Sequence, residues 1–181
     1  MRIISGKSRG LKIRSIQGLD TRPTSDRVKE NIFNMLAPDL PGCSFLDLFS
    51  GTGGIGIEAL SRGAEFVAFV DNSPKAIDTI NYNLRSAKLS DGAMVLCMDF
   101  RLALERLSQR KYLFDVIFLD PPYHTTFVDE ALESIINSGL LQNNGYVVAE
   151  VERGARFNAS GFEIYKSRNY GTTTIVFVRG I

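Results

Sequence analysis

Four aspartates stand where short apolar runs end. Asp47 closes the run that begins at Cys43, Asp71 follows Glu65–Val70, Asp99 follows Ala93–Met98, and Asp120 follows Asp115–Leu119. Asp47 leads into Leu48-Phe49-Ser50-Gly51-Thr52-Gly53-Gly54-Ile55-Gly56. Glycines between a strand and a helix allow positive φ and let a ligand approach the backbone. The spacing of Gly51, Gly53 and Gly56 is compatible with a dinucleotide fingerprint. A carboxylate just before the glycines would repel a pyrophosphate, however, and suits an ammonium group instead. An acid ending a second strand can accept both hydroxyls of a ribose. Asp99, ending the third, can accept from an adenine amino group. An amino-acid tail, a ribose and an adenine in that order are the parts of S-adenosylmethionine, which carries no phosphate. The expected cofactor set is Asp47, Phe49, Ser50, Gly51, Thr52, Gly53, Asp71, Asn72, Asp99 and Phe100. Taken singly, each acid can also be a helix N-cap.

The fourth acid opens Asp120-Pro121-Pro122-Tyr123. Two successive prolines remove two backbone donors and fix φ near −65°. The carbonyls of Asp120 and Pro121 then join the Asp120 carboxylate in a cradle that only accepts hydrogen bonds. An exocyclic amine would donate both protons to it and keep its lone pair for a methyl donor. Tyr123 offers a flat face for a base to stack on. These four are the expected catalytic residues. A rigid turn with a surface tyrosine is the plainer alternative.

The elements that must position these groups follow from periodicity. Strands are predicted at 43–49, 65–70, 93–98, 115–119 and 146–151, with helices at about 53–62, 74–88, 100–109 and 126–138. Apolar strands alternating with helices imply a parallel sheet covered on both faces. The end differs: 163–166 and 172–178, split by Asn169-Tyr170-Gly171, read as an antiparallel hairpin. The link between the fifth and sixth strands, about ten residues, is short for a helical crossover. Upstream, alternating apolar and basic residues at 2–4 and 11–13 suggest a small hairpin with a basic face. A helix capped by Thr24 or Ser25 follows, with Val28, Ile32, Met35 and Leu36 as its apolar stripe. Pro38, Pro41 and Gly42 end it. The expected division is a basic extension over 1–40 and a catalytic domain over 41–181.

Charge follows the same division. The 181 residues carry a net +1, yet residues 1–29 hold eight basic and two acidic residues, leaving −5 on the rest. Such asymmetry points to an acidic partner at the basic end. Cys43 and Cys97 sit beside apolar residues and are expected to be buried free thiols. One histidine, His124, makes a His-based triad or metal site a poor reading, and no metal is expected. No apolar h-region and no membrane-spanning run is visible, so the expected location is cytoplasmic.

Taken together, the glycine loop with its acid and Asp120-Pro121-Pro122-Tyr123 resemble class I S-adenosylmethionine-dependent methyltransferases. Arg22–Phe33, Asp47–Ala64, the opening Arg2-Ile3-Ile4-Ser5-Gly6 with Arg9-Gly10, and the late Tyr170-Gly171 are similar to the RsmD-like family. These are guanine-N2 methyltransferases of bacterial small-subunit (16S) ribosomal RNA. The resemblance spans essentially the whole chain. It implies a Rossmann-like α/β fold: a seven-stranded, mostly parallel sheet with a C-terminal antiparallel hairpin and a small N-terminal hairpin-and-helix extension. It implies a monomer acting on ribosomal RNA, within an assembling small subunit. Arg2, Lys7, Arg9, Lys12, Arg22, Thr24 and Arg27 are expected to hold RNA, with Arg14 and Lys29 beside them. Such contacts add affinity without sequence information. The acceptor cradle would equally serve DNA adenine-N6 or a protein glutamine amide. A non-catalytic RNA-binding module and a dinucleotide oxidoreductase are further alternatives. Against the first stand the intact acids, and against the second stand Asp47 and the lack of a catalytic His or Tyr-Lys pair.

Overall fold

The computed structural model describes residues 1–16, 26–122, 126–156, 158–159 and 161–181. Its elements are α1 (Asp26–Leu36), β1 (Ser44–Asp47), α2 (Gly54–Ser61), β2 (Phe66–Asp71), α3 (Pro74–Ala87), β3 (Ala93–Cys97), α4 (Phe100–Gln109), β4 (Phe114–Leu119), α5 (Phe127–Ser138), β5 (Leu141–Glu152), β6 (Phe162–Tyr170) and β7 (Thr173–Gly180). The strands form one sheet in the order β3-β2-β1-β4-β5-β7-β6. Strands β1 to β5 run parallel, and β7 runs antiparallel to both β5 and β6. This is the Rossmann-like architecture the sequence implies.

Both faces of the sheet are buried, and alternate residues serve opposite faces, as the strand period of two requires. Phe45, Val67, Phe69, Val116, Phe118, Val148, Ile175 and Phe177 pack with α1, α2 and α3. Leu46, Ala68, Val70, Ile117, Leu119, Val147, Ala149, Val176 and Val178 pack with α4 and α5. Every described strand-to-helix turn that carries a predicted acid therefore opens on one edge of the sheet. The chain order reverses between β1 and β4, the place where doubly wound sheets form a ligand crevice.

The short link after β5 has a geometric explanation. β5 ends beside Thr173 and β6 begins beside Gly180, so residues 153–161 must travel the length of β7. Nine extended residues reach about 30 Å, and an eight-residue strand is roughly 26 Å long. A helix of nine residues would cover only about 14 Å. The described residues of the link are accordingly non-helical. They run over α5, where Asp129 accepts from the Asn158 amide at 2.8 Å.

The N-terminal segment lies on α2. Arg2 and Lys12 form an antiparallel bridge, and the Ile3 amide donates to the Leu11 carbonyl at 2.9 Å. Ile3 and Ile13 join the core beneath α1 and α2. All eight residues of α2 are buried, because the sheet covers one side and this segment the other. Contact is backbone to backbone. A Cβ on Gly6, whose φ is +84°, would sit 1.8 Å from the Ser61 carbonyl oxygen. On the opposite side a Cβ on Gly56 would sit 2.3 Å from the Phe69 ring.

Two expectations are corrected here. Cys43 is buried, but Cys97 is exposed, because β3 is an edge strand. The buried stripe of α1 is Lys29, Ile32, Phe33 and Leu36; of the predicted residues Ile32 and Leu36 lie in it, while Val28 and Met35 flank it half-buried and Lys29 and Phe33 were missed.

Candidate active site

The glycine loop is held by the acids around it. Ser50 stitches the ends of β1 and β2. Its hydroxyl donates to the Asp47 carbonyl at 2.7 Å and accepts the Val70 amide at 2.9 Å. The Asp71 carboxylate accepts the Gly51 amide at 2.9 Å and the Ser73 amide at 2.8 Å. Gly51 has φ +53°, and a Cβ added there would meet nothing within 4 Å, so the loop presents open backbone. Gly53, at φ +78°, is the N-cap of α2. Thr52 is half-buried and Asn72 exposed.

Asp47 is 2% exposed, and its Oδ2 accepts the Gly56 amide at 3.0 Å. Burial pushes its carboxyl up to about 7, against the Gly56 hydrogen bond and with help from Asp71. Asp120 is pushed well up as well, first by burial, then by Glu150 and Asp47. The topology explains the crowding. Asp47 pairs with Phe118 across β1 and β4, and Leu119 pairs with Ala149 across β4 and β5. One step further along the last pair, Asp120 stands beside Glu150. The three acids thus line the α2 side of three adjacent strand ends.

Glu150 is 5% exposed and was not among the expected site residues. The available signal was an acid inside the apolar run Tyr146-Val147-Val148-Ala149-Glu150-Val151. Pro121 is buried and Pro122 exposed. Tyr123, Arg22, Thr24 and His124 lie outside the described residues.

Asp99 occupies the plainer role open to it. It is the N-cap of α4, accepts the Arg101 amide at 2.9 Å and pairs with the Arg101 guanidinium at 3.3 Å. Arg101 also pairs with Glu130 and lies 4.4 Å over the Phe100 ring. Phe100 is buried against Phe49, 5.1 Å between ring centroids, and against Phe127.

The basic residues divide by position. Arg2, Lys7, Arg9, Lys12, Arg14 and Arg27 are exposed. Lys7 and Arg9 sit on the turn at the far end of α2 and α3, where the Lys7 amide donates to Ser61 and the Ser8 hydroxyl to Ala87. Arg14 returns to the glycine loop, where Asn83 holds it. Arg2 lies 3.8 Å from Asp26. Lys29 is a correction: it is 0% exposed and cannot reach a phosphate. Its Nζ lies 3.2 Å from Glu58 and donates to the Arg2 carbonyl. Burial pushes the Lys29 ammonium below its ordinary range, with Glu58 pulling the other way.

Among the described residues no cluster of His, Cys, Asp and Glu is arranged to hold a metal, and no helix is long and apolar enough to cross a membrane.

The model of a family described as conserved hypothetical protein 95 matches residues 1–179. YlbH of Bacillus subtilis, provisionally named an rRNA methyltransferase, is 40% identical over 181 residues, covering 99% of this chain and 98% of that one. Ribosomal RNA small subunit methyltransferase D of Haemophilus influenzae is 35% identical over 153 residues, 84% of this chain and 79% of that one. Among solved structures, the yhhF protein of Escherichia coli superposes with a TM-score of 0.86 at 26% identity, over 99% of this chain and 97% of that one. SMU.776, solved with S-adenosylhomocysteine, shares the fold at 15% identity, with a TM-score of 0.66 over 83% of this chain and 48% of that one. Matched by the family model over residues 1–179 and by YlbH over nearly its whole length, the chain belongs to the conserved hypothetical protein 95 family, that of the ribosomal RNA small subunit methyltransferases D.

Proposed function

We propose that this chain transfers a methyl group from S-adenosylmethionine to the exocyclic N2 amine of a guanine in small-subunit (16S) ribosomal RNA. The observation that carries the reading is the acid row at the sheet edge, with Asp120-Pro121-Pro122 beside the glycine loop. The residues present fit the cofactor. A cation next to Asp47 would relieve the burial that raises its carboxyl. The open backbone at Gly51 admits close approach. Asp71 uses both oxygens for loop amides, yet a carboxylate has about four acceptor sites, which leaves capacity for ribose hydroxyls. Asp47 would hold the ammonium, Asp71 the ribose, and the main chain around Asp99 and Phe100 the adenine.

S-adenosylmethionine, when bound, would supply an electrophilic methyl on its sulfonium, passed to the amine as the S–CH3 bond breaks and S-adenosylhomocysteine leaves. The chain's own residues position and desolvate. Asp120 and the Pro121 carbonyl accept the two N2 protons and leave the lone pair directed away from them. Tyr123 stacks on the base, which must leave any helix to enter the crevice. Asp120 need not be a strong base, because the amine releases its proton easily once alkylated. Such positioning can contribute several kcal/mol to lowering the barrier. Exposed Arg2, Lys12, Arg14 and Arg27 hold RNA phosphates, and binding weakens with salt.

The names of the small-subunit methyltransferase relatives support ribosomal RNA over DNA adenine or a protein amide. The test is nucleoside analysis of ribosomal RNA from a deletion strain. One N2-methylguanosine is expected to disappear and to return with the restored gene. Unchanged N2-methylguanosine refutes the acceptor. A labelled methyl-transfer assay on assembling small subunits, naked ribosomal RNA and DNA should give product only with RNA or its assembly intermediates.

A further inference from the structure

Asn83 joins two parts of the molecule that sequence places far apart. It sits on α3, 2% exposed. Its Oδ1 accepts the Arg14 amide at 2.8 Å, and its Nδ2 donates to the Arg14 carbonyl at 3.2 Å. The same Nδ2 donates to the Thr52 carbonyl of the glycine loop at 2.9 Å. One amide side chain thus reads both main-chain groups of a basic residue and one carbonyl of the loop. The neighbouring Tyr82 lies under the Arg14 guanidinium at 5.1 Å. The helix that carries Asn83 begins at the Ser73 amide, which Asp71 accepts. The Asn83 side chain is itself buried, so its amide depends on these partners in place of water.

We propose that Asn83 is a positioning residue that couples cofactor binding to RNA binding, by tying the Arg14 end of the basic segment to the glycine loop. The bond network has one consistent arrangement. If Thr52 shifts, the Nδ2 donor shifts, and the Arg14 main chain loses one of its two partners. A ligand that fixes the loop therefore fixes Arg14, and RNA that fixes Arg14 fixes the loop. Ordering paid once benefits both ligands, which makes the coupling positive and reciprocal. The chemistry places the effect at Arg14 and not at Lys7 or Arg9, whose turn is fastened to the far ends of α2 and α3.

The inference rests on the proposed function, and the experiment separates the two. S-adenosylhomocysteine is titrated into the full chain with and without saturating small-subunit ribosomal RNA transcript. The unaltered protein is expected to bind it at least ~5-fold more tightly with RNA present, within the usual range of coupling. Asn83→Ala is expected to bind each ligand alone and to lose the mutual effect. Absence of coupling in the unaltered protein, or coupling that survives in Asn83→Ala, overturns the inference. No binding of S-adenosylhomocysteine under any condition overturns the functional reading itself. Should Asn83→Ala not fold, hydrogen exchange on the unaltered protein decides. Adding S-adenosylhomocysteine should slow exchange of the Arg14 amide along with that of the Gly51 amide. An Arg14 amide that exchanges at an unchanged rate while Gly51 slows overturns the coupling.

Discussion

Two groups of acids lie on the same side of the sheet, and they are treated in opposite ways. Glu58, 0% exposed on α2, accepts from four donors: the Ile4 and Ser5 amides at 2.8 and 3.0 Å, the Arg62 Nε at 2.8 Å, and the Lys29 Nζ. It bolts the N-terminal segment and α1 to α2. Asp47, Asp120 and Glu150 crowd one another instead, and the first two are held up toward the neutral form. A buried carboxylate surrounded by cations and amides is structure. Carboxyls crowded together at adjacent strand ends are costly to ionise, and a cationic ligand offsets that cost. Charge counting along the chain cannot separate the two cases; the cations Lys29 and Arg62 beside Glu58 do.

The largest expected effect is on the structural side. Glu58→Ala leaves the Lys29 ammonium buried without its partner and frees two amides of the N-terminal segment. Loss of one member of a buried pair costs about 3–5 kcal/mol, measured as a fall in denaturant stability. A loss within 1 kcal/mol would show that the segment is docked mainly by Ile3 and Ile13. Next comes Asp120→Ala, which should reduce methyl transfer by at least ~100-fold while leaving the affinity for S-adenosylhomocysteine within about threefold. Equal loss of both would place Asp120 in the cofactor site. Third is a pH effect through Asp47. Its folded value, about 7, is above the ordinary carboxylate value, so the native state binds more protons between the two. Its contribution to stability is fully present below pH 4 and declines as pH rises toward 7. Cofactor binding runs the other way, because a cation prefers the ionised form. Affinity should fall by up to roughly tenfold per pH unit below 7, and Asp47→Asn should flatten both profiles. The smallest effect is Asp99→Ala, which removes a helix cap worth about 1 kcal/mol. A larger fall in cofactor affinity than in stability would give Asp99 a direct ligand contact beyond its cap.

Much of this was legible in the sequence for physical reasons. Strands buried on both faces leave continuous apolar runs, so β1 to β4 and the acids at their ends could be placed closely, whereas β5 begins at Leu141, five residues before its apolar run, in the polar stretch Gln142-Asn143-Asn144. The antiparallel end was marked by Asn169-Tyr170-Gly171, with its positive φ at Gly171. Hidden features depend on what packs across from them. Lys29 looked like a phosphate contact because lysine is usually exposed, yet it stands at the first position of the 29, 32, 33, 36 stripe. Glu58 lies in an apolar helix that only the N-terminal segment could seal. Glu150 became a site candidate only when the β4–β5 register set it beside Asp120. Cys97 read as buried because no local pattern says which strand forms the edge.

Calorimetric titration of the full chain with S-adenosylhomocysteine at pH 8 and pH 5.5 tests the central claim most directly, that Asp47 among the crowded acids anchors the cofactor. The expected result is saturable one-site binding at pH 8 that weakens at least ~10-fold at pH 5.5. No binding at millimolar ligand, or equal binding at both pH values, would contradict it.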